Sequence, residues 1–277
     1  TAPCPSWLTF TDTSGQNGIG TLTGTPDNDD VGSHSVKITA ADGDSGSDSE
    51  SFTIVVSNVN DAPTVSTAIS DTSINEDATT LSLSASFADV DVGDTLTYTM
   101  SGCPSTISID SSTGAITGTP VNADVGASTC TVTATDDGTG TLSADDVFIL
   151  TVVNTNDAPT VTSATADAST NEDAAYTLDA SAIFTDVDAS EVLTYSMSGA
   201  PSSLSIDTST GAITGTPLNA NVGAHTITIT VADDESPTPA SASDVFILTV
   251  VNVNDAPTVA TAISDTSINE DATTLSL

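Results

Sequence analysis

Acidic and amide side chains return at four points of the chain, and oxygen-rich points at that density are the raw material of a hard-cation site. In the best-represented stretch they are Asn60-Asp61, the turn Asn75-Glu76-Asp77, the loop Asp89-Val90-Asp91-Val92-Gly93-Asp94, and Thr135-Asp136-Asp137-Gly138. Ca2+ takes about six to eight oxygen ligands at about 2.3–2.6 Å, which loops offering alternate carboxylates and carbonyls can supply. Asp89 and Asp91, two apart in an irregular turn, can face one ion. The same residue types build ordinary Asx turns, so a single acidic loop says little. Four acidic points together in each complete copy say more.

The overall charge points the same way. There are 38 acidic residues against the single base Lys37 and no arginine, a formal charge of −37 on 27.5 kDa. A surface so anionic argues against nucleic acid and anionic membranes as partners and favours cations, which relieve repulsion reaching about 10 Å at 0.1 M salt. The plainer reading of the acidity is solubility or adaptation to salt. Catalysis lacks its parts: His34 and His225 share a repeat position that holds Ser128 in the middle copy, so no Ser/His/Asp set or zinc site recurs. No phosphate-binding glycine loop and no apolar run of 18 residues occur, so membrane insertion is not expected of this segment.

The elements that must position these groups are repeats. The junction Asn58-Val59-Asn60-Asp61-Ala62-Pro63-Thr64-Val65 returns at 154–161 and at 252–259, each time followed by an Asn-Glu-Asp triplet (75–77, 171–173, 269–271). Asp61 to Asp157 is 96 residues and Asp157 to Asp255 is 98, the size of one small β-sandwich. Residues 254–277 match 60–83 except for Ala260 in place of Ser66, and Pro5–Thr64 aligns with Pro104–Thr160. The expected division is therefore 1–61 (the C-terminal part of a repeat), 62–157 and 158–255 (complete repeats), and 256–277 (the N-terminal part of another), a segment of a longer array.

Each repeat reads as seven short strands with no persistent 3.6-residue period, which predicts an all-β Greek-key sandwich. In the middle repeat the strands are expected at Pro63–Ile69, Thr79–Phe87, Thr95–Met100, Thr106–Ile109, Ala115–Thr119, Ser128–Thr135 and Val147–Asn154. Leu81, Leu83, Ala85 and Phe87 would face inward, as would Cys130, Val132 and Ala134. The last strand is apolar on both faces, so it is expected to be central or covered by a neighbour. The next repeat adds one residue before Asp188 and another in Pro237-Thr238-Pro239. Trp7, where other copies have Thr106 and Ser203, reads as an exposed aromatic in preference to a contact with a neighbour. Of three cysteines, Cys103 and Cys130 could form a bridge confined to one repeat, or be small buried residues like their counterparts; Cys4 has no partner in this scheme.

With these parts in order, a family resemblance appears. Thr131-Val132-Thr133-Ala134-Thr135-Asp136-Asp137-Gly138, then Val147 to Asn154 and Thr155-Asn156-Asp157-Ala158-Pro159, resembles the end of a cadherin repeat. Cys103-Pro104 to Asp110, with Ser112-Thr113-Gly114-Ala115-Ile116-Thr117-Gly118-Thr119-Pro120, is similar to the dystroglycan-type cadherin-like and Ig modules of large bacterial surface proteins. The resemblance runs through the whole chain and implies tandem Ig-like/cadherin-like sandwiches in a linear array. In cadherins Ca2+ is held where modules meet. Carried over, one set would be Glu76, Asn156, Asp157, Asp186, Asp188 and Asp233, another Asn60, Asp61, Asp89, Asp91 and Asp136, and a third, incomplete here, Glu172, Asn254 and Asp255. The chain departs from the family in opening its linker with Asn58, Asn154 or Asn252 and in lacking the Leu-Asp-Arg-Glu motif, which is replaced by Val121-Asn122-Ala123-Asp124 after Gly-Thr-Pro. Fewer ligands imply fewer or weaker ions.

The resulting expectation is a calcium-stiffened, non-catalytic structural repeat segment of a large adhesin or surface fibre, extracellular or at the cell surface, whose first partners are the neighbouring repeats of its own chain. A self-assembling filament or sheath built by homotypic contacts is the alternative, and a glycan-binding module using Trp7 a weaker one.

Overall fold

Period-two alternation is what the chain converts into structure: nearly every regular element is a strand, and the few 3-10 turns are three residues long. The structure, a computed structural model, describes residues 4–13, 19–77, 80–188, 192–234, 239–271 and 274. Thr79, where the second expected strand starts, and residues 237–238 of the expected insertion lie outside them. Two compact units, Thr1–Thr155 and Asn156–Leu277, divide the chain.

The first unit opens with β1 (Leu8–Asp12), β2 (Gly20–Gly24), β3 (Gly32–Ala41) and β4 (Ser47–Val56), paired antiparallel as β1–β2 and β3–β4. It continues with β5 (Thr64–Thr67), β6 (Thr72–Asn75), β7 (Leu81–Ser84), β8 (Ser86–Ala88), β9 (Thr97–Ser101), β10 (Ile107–Ile109), β11 (Ala115–Gly118), β12 (Gly126–Thr135) and β13 (Ser143–Val153). These make a four-stranded sheet β6-β13-β12-β9, a three-stranded sheet β10-β11-β7, and the pair β5-β8. The core between the sheets takes Leu81, Ile107 and Ile116 from one side and Cys130, Val132, Phe148, Leu150 and Val152 from the other. Full burial of each large apolar side chain stabilises by roughly 1.5–3 kcal/mol.

The second unit repeats the plan with β14 (Thr160–Val161), β15 (Ala168–Asn171), β16 (Tyr176–Asp179), β17 (Phe184–Thr185), β18 (Thr194–Ser198), β19 (Leu204–Ile206), β20 (Ala212–Gly215), β21 (Gly223–Ala232) and β22 (Ser241–Val251). Its sheets are β15-β22-β21-β18, β16-β20-β19 and β14-β17, around Ile213, Ile227, Ile229, Phe246 and Leu248. The all-β sandwich read from the sequence is the fold observed.

The first expected strand is shorter than expected and is followed by an unexpected one, and the second is split. Pro63–Ile69 holds only β5, and the chain then crosses to the opposite sheet as β6, which runs parallel to β13. At the crossing the backbone has no strand partner, and carboxylates supply one. Asp146 Oδ2 accepts the Ile69 amide (2.7 Å) and Asp71 Oδ1 accepts the Ile149 amide (2.7 Å). Asp244 and Asp167 do the same for Thr165 and Ile247 (both 2.8 Å). The second strand is interrupted at buried Ala85, giving β7 and β8. β13 is central, as expected, but its outer face is not covered: Val147 is 56% exposed. Trp7 departs from expectation. It is half-buried and packs edge-on to His34, with ring centroids 5.7 Å apart.

Cys103 and Cys130 are joined in a disulfide, their Cα atoms 4.7 Å apart across 27 residues, while Cys4 is exposed and unbridged. The bridge pins the segment after β9 to the buried centre of β12. Loop-closure entropy assigns it about 3–4 kcal/mol. The double variant Cys103→Ala/Cys130→Ala should lose about that much unfolding free energy in denaturant titration, and an unchanged midpoint would contradict it.

The tight turn between β10 and β11 depends on Asp110. Its Oδ1 accepts the Ser112 and Thr113 hydroxyls (2.7 and 2.9 Å) and their amides (3.0 and 2.8 Å), while Gly114 takes a φ of +70° that suits glycine. The Ser112 hydroxyl foremost, then the Thr113 amide, hold the Asp110 carboxyl down from 3.8 to about 2. At Asp207 the Thr210 amide leads, followed by the Ser209 hydroxyl, and its value is also about 2. Because the folded values lie below 3.8, the caps contribute fully above that pH and are lost as pH falls through about 2. Carboxyl NMR titration should place both midpoints near 2; ordinary carboxylate midpoints would show that these caps do not form in solution.

Candidate metal centre

In the first unit, the linker after β4 is gripped by the loops of the sandwich that follows it. Asp61 donates its amide to Asp91 Oδ2 (2.6 Å), and Asn60 donates its side-chain amide to Asp136 Oδ2 (3.1 Å). The loop after β8 folds on itself because Asp89 Oδ1 accepts the Asp91 amide (2.9 Å). The turn after β12 is closed by Asp136, whose oxygens accept amides of Gly138 (3.1 Å) and Leu142 (3.0 and 3.1 Å). Asp91 and Asp136 are only 4% and 3% exposed, and the carboxylate of each accepts N–H groups.

Three oxygens receive nothing of the kind. Asn60 Oδ1, Asp89 Oδ2 and Asp94 Oδ2 are buried and have no hydrogen-bond partner. Asp89, Asp91 and Asp94 bring carboxylate oxygens within 4.8 Å of one another. Burial first, then the negative charges of Asp91, Asp137, Asp89 and Asp136, raises the Asp94 carboxyl above the ordinary carboxylate value. An unpaired carboxylate buried among like charges is costly. A divalent cation on these oxygens removes the cost, so the donor set fits Ca2+.

The second unit repeats the geometry. Asp157 donates its amide to Asp188 Oδ2 (2.7 Å), Asp188 donates to Asp186 Oδ1 (3.0 Å), and Asn156 donates to Asp233 Oδ2 (3.1 Å). Asp233 closes its turn on the Ala240 amide (3.0 and 3.1 Å). Asn156 Oδ1 and Asp186 Oδ2 are again buried without a partner. The two glutamates behave alike, each within its own unit. Glu76 and Glu172 are 2% exposed, each gives Oε1 to a linker amide (Thr155, 2.9 Å; Val253, 2.7 Å), and each keeps Oε2 buried and unpartnered. Asn254 and Asp255 are exposed.

Comparison with known proteins decides the family. Residues 1–57, 62–153 and 158–251 each match the model described as Putative Ig domain. The chain belongs to this family. Its relatives include the serine-rich adhesin for platelets of Staphylococcus aureus. The strain MRSA252 protein is 35% identical over 139 residues, covering 50% of this chain and 10% of that protein; the strain MSSA476 protein is 35% identical over the same length, covering 50% and 6%. The Ig-domain chain thus spans a tenth or less of these relatives' length. Among solved structures, mouse cadherin-23 EC22-24 aligns with TM-score 0.54 at 19% identity, covering 90% of this chain and 83% of that one. Protocadherin gamma B2 domains 1-5 give TM-score 0.54 at 19% identity, covering 85% and 49%. At such identity the likeness is one of fold, and it is the cadherin-like and Ig-like fold the sequence resembles.

Sequence reasoning on this Ig-domain chain passed over two residues that belong to the geometry. Asp94 was visible as the end of the acidic loop, but nothing in its spacing says that its oxygen is buried beside Asp91. Gly138 closes the fourth acidic point in the sequence, and its missing side chain is what admits Asn60. A Cβ there would overlap the Asn60 amide and approach Asp94 Oδ2 to 2.6 Å. Gly138→Ala should therefore destabilise the first unit by about 1–3 kcal/mol, while Gly43→Ala, whose Cβ meets nothing within 4 Å, should be close to neutral. Equal denaturation midpoints for the two variants would contradict the packing described.

Proposed function

We propose that this chain is a calcium-stiffened, non-catalytic structural segment of a large extracellular adhesin or surface fibre, with repeats divided at 61/62, 157/158 and 255/256. The observation that carries the reading is the set of buried, partnerless oxygens, Asn60 Oδ1, Asp89 Oδ2 and Asp94 Oδ2, placed beside a linker already bonded to Asp91 and Asp136. Asn60, Asp61, Asp89, Asp91, Asp94 and Asp136 would hold Ca2+ in the first unit. Asn156, Asp157, Asp186, Asp188 and Asp233 form the corresponding set in the second, and Glu76, Glu172, Asn254 and Asp255 would serve the glutamate and linker positions. The ion supplies positive charge where carboxylates crowd and binds linker and loop oxygens at once, so the linker stops behaving as a free hinge.

Similarity to a stretch of a bacterial adhesin supports the structural role, and a formal charge of −37 supports the dependence on cations. The array would hold other parts of a longer protein apart and need no catalytic group of its own. Among the described residues no helix is long and apolar enough to cross a membrane, and strands make nearly all of the regular structure.

Thermal unfolding with Ca2+, with chelator, and with Mg2+ or Na+ at matched ionic strength tests the reading. For sites with dissociation constants of about 0.1–1 mM, 10 mM Ca2+ stabilises by roughly 1.5–2.7 kcal/mol per site. The transition should rise with Ca2+ well beyond the effect of the control salts. An unchanged transition after chelation, or an equal rise with Na+, would overturn the proposal.

A further inference from the structure

The acids of this chain are gathered in loops and turns, and one kind of sheet face is almost free of them. Alternation from the buried Val36, Val132, Phe148 and Ile229 defines the outward positions of the pair β3-β4 and of the sheets β6-β13-β12-β9 and β15-β22-β21-β18. At those positions, all among the described residues, the only acid is Asp145 and the only base is Lys37. Serine and threonine fill most of the rest, together with Val147, Ile149 and Val153, which return as Val245, Ile247 and Val251 and are all exposed. Scattered exposed aliphatics are ordinary. The same three on the central strand of both four-stranded sheets form a recurring row.

The two charges on this face are unanswered within it. Lys37 is exposed on β3, where the aligned positions hold Thr131 and Thr228. Its neighbours on the face are Ser35 and Thr39 along the strand and Ser49, Ser51 and Thr53 across it, so no carboxylate of the face meets the ammonium. Asp145 is exposed on β13, where the aligned positions hold Ser49 and Ser243, and it gives Oδ1 to the Thr133 hydroxyl (2.6 Å). In the register of β12 and β13, Thr131 lies opposite Val147 and Thr133 opposite Asp145. The Lys37 and Asp145 positions are therefore diagonal neighbours on the common sheet plan, and laying one such face on another brings the two charges within reach of each other.

We infer that this outward face docks sideways on the same face of a second copy of the chain, with Lys37 of one copy against Asp145 of the other. Two chains of charge −37 repel each other over most of their surface, so they can touch only where acids are missing. A cationic partner would be drawn to the acidic loops in preference to this face, and no aromatic ring among its outward positions offers a sugar a stacking surface. The complement that the face does carry is to itself: one base, one acid, and neutral surroundings for both. Strands about 4.8 Å apart, rising about 3.3 Å per residue, give a four-stranded face roughly 450–500 Å2. One docked face is thus a weak contact, and two approach the about 800 Å2 per partner of a stable complex. Docking does not rest on the Ca2+ reading; it adds a lateral partner to it.

Sedimentation velocity of the 277-residue chain, with Ca2+ and with chelator at matched ionic strength, tests this alongside Lys37→Glu, Asp145→Lys and the double variant. The unsubstituted chain should associate as its concentration rises from about 10 µM to about 1 mM. Each single variant should weaken association by about tenfold or more. The double variant, and an equimolar mixture of the two single variants, should regain it. Asp145→Lys makes the chain less negative, so repulsion alone predicts stronger association, the opposite of what docking predicts. Val147→Asp should also weaken association, whereas Thr117→Asp, exposed on the other sheet of the same sandwich, should not; thermal transitions of all variants show that each is folded. Association through any other face would be blind to the charge swap. A chain that stays monomeric throughout, a stronger association of Asp145→Lys, no recovery in the double variant or the mixture, or equal effects of Val147→Asp and Thr117→Asp would overturn the proposal. Monomers whose melting still rises with Ca2+ would do so while leaving the metal reading in place.

Discussion

A carboxylate oxygen removed from water has to be met by a proton donor or a cation, and this chain has almost no cationic side chains to offer. One lysine faces 38 acidic residues. Backbone amides and the Ser and Thr hydroxyls are the plentiful donors, and the buried acids take amides. Asp91, Asp136, Asp188, Asp233, Glu76 and Glu172 all bond main-chain N–H groups of a linker or of their own loops. Amides do not suffice. Buried oxygens remain on Asn60, Glu76, Asp89, Asp94, Asn156, Glu172 and Asp186, and it is at these that the demand for an external positive charge is concentrated.

The same bonds couple charge to architecture. Asp91 and Asp136 hold the linker preceding their own sandwich, so whatever stabilises these carboxylates also fixes the chain that enters it. Elsewhere in the fold, carboxylates complete β-structure. Asp71 and Asp146 satisfy backbone amides where the first strand leaves one sheet for the other, and Asp167 and Asp244 do so in the second unit. High acidity is therefore not only a surface property: part of it serves as hydrogen-bond acceptor for backbone that the sheets leave unpaired.

How much of this was legible depends on whether the signal is local. β12 and β13 were plain, because Cys130, Val132 and Ala134 alternate with threonine and because Phe148, Leu150 and Val152 follow at period two. β6 was not, since Thr72-Ser73-Ile74-Asn75 carries no strong apolar alternation and exists through a parallel pairing with residues more than 70 positions away. The acidic points were legible as a repeated list. The burial of the Asp94 oxygen was not, because a carboxylate at a loop's end looks like an ordinary turn residue until the neighbouring chain is in place.

The sequence by itself determined the repeat length, the all-β character, the inward-facing residues of the main strands, and the identity of the acidic groups at each junction. These follow from periodicity, composition and turn chemistry, which act over a few residues. Tertiary structure alone decided which oxygens are left without a donor, that Cys103 meets Cys130, and that the chain changes sheets after the first strand. Each of those depends on atoms brought together from distant parts of the chain, and the cost of burying an unpaired oxygen appears only once its surroundings are assembled.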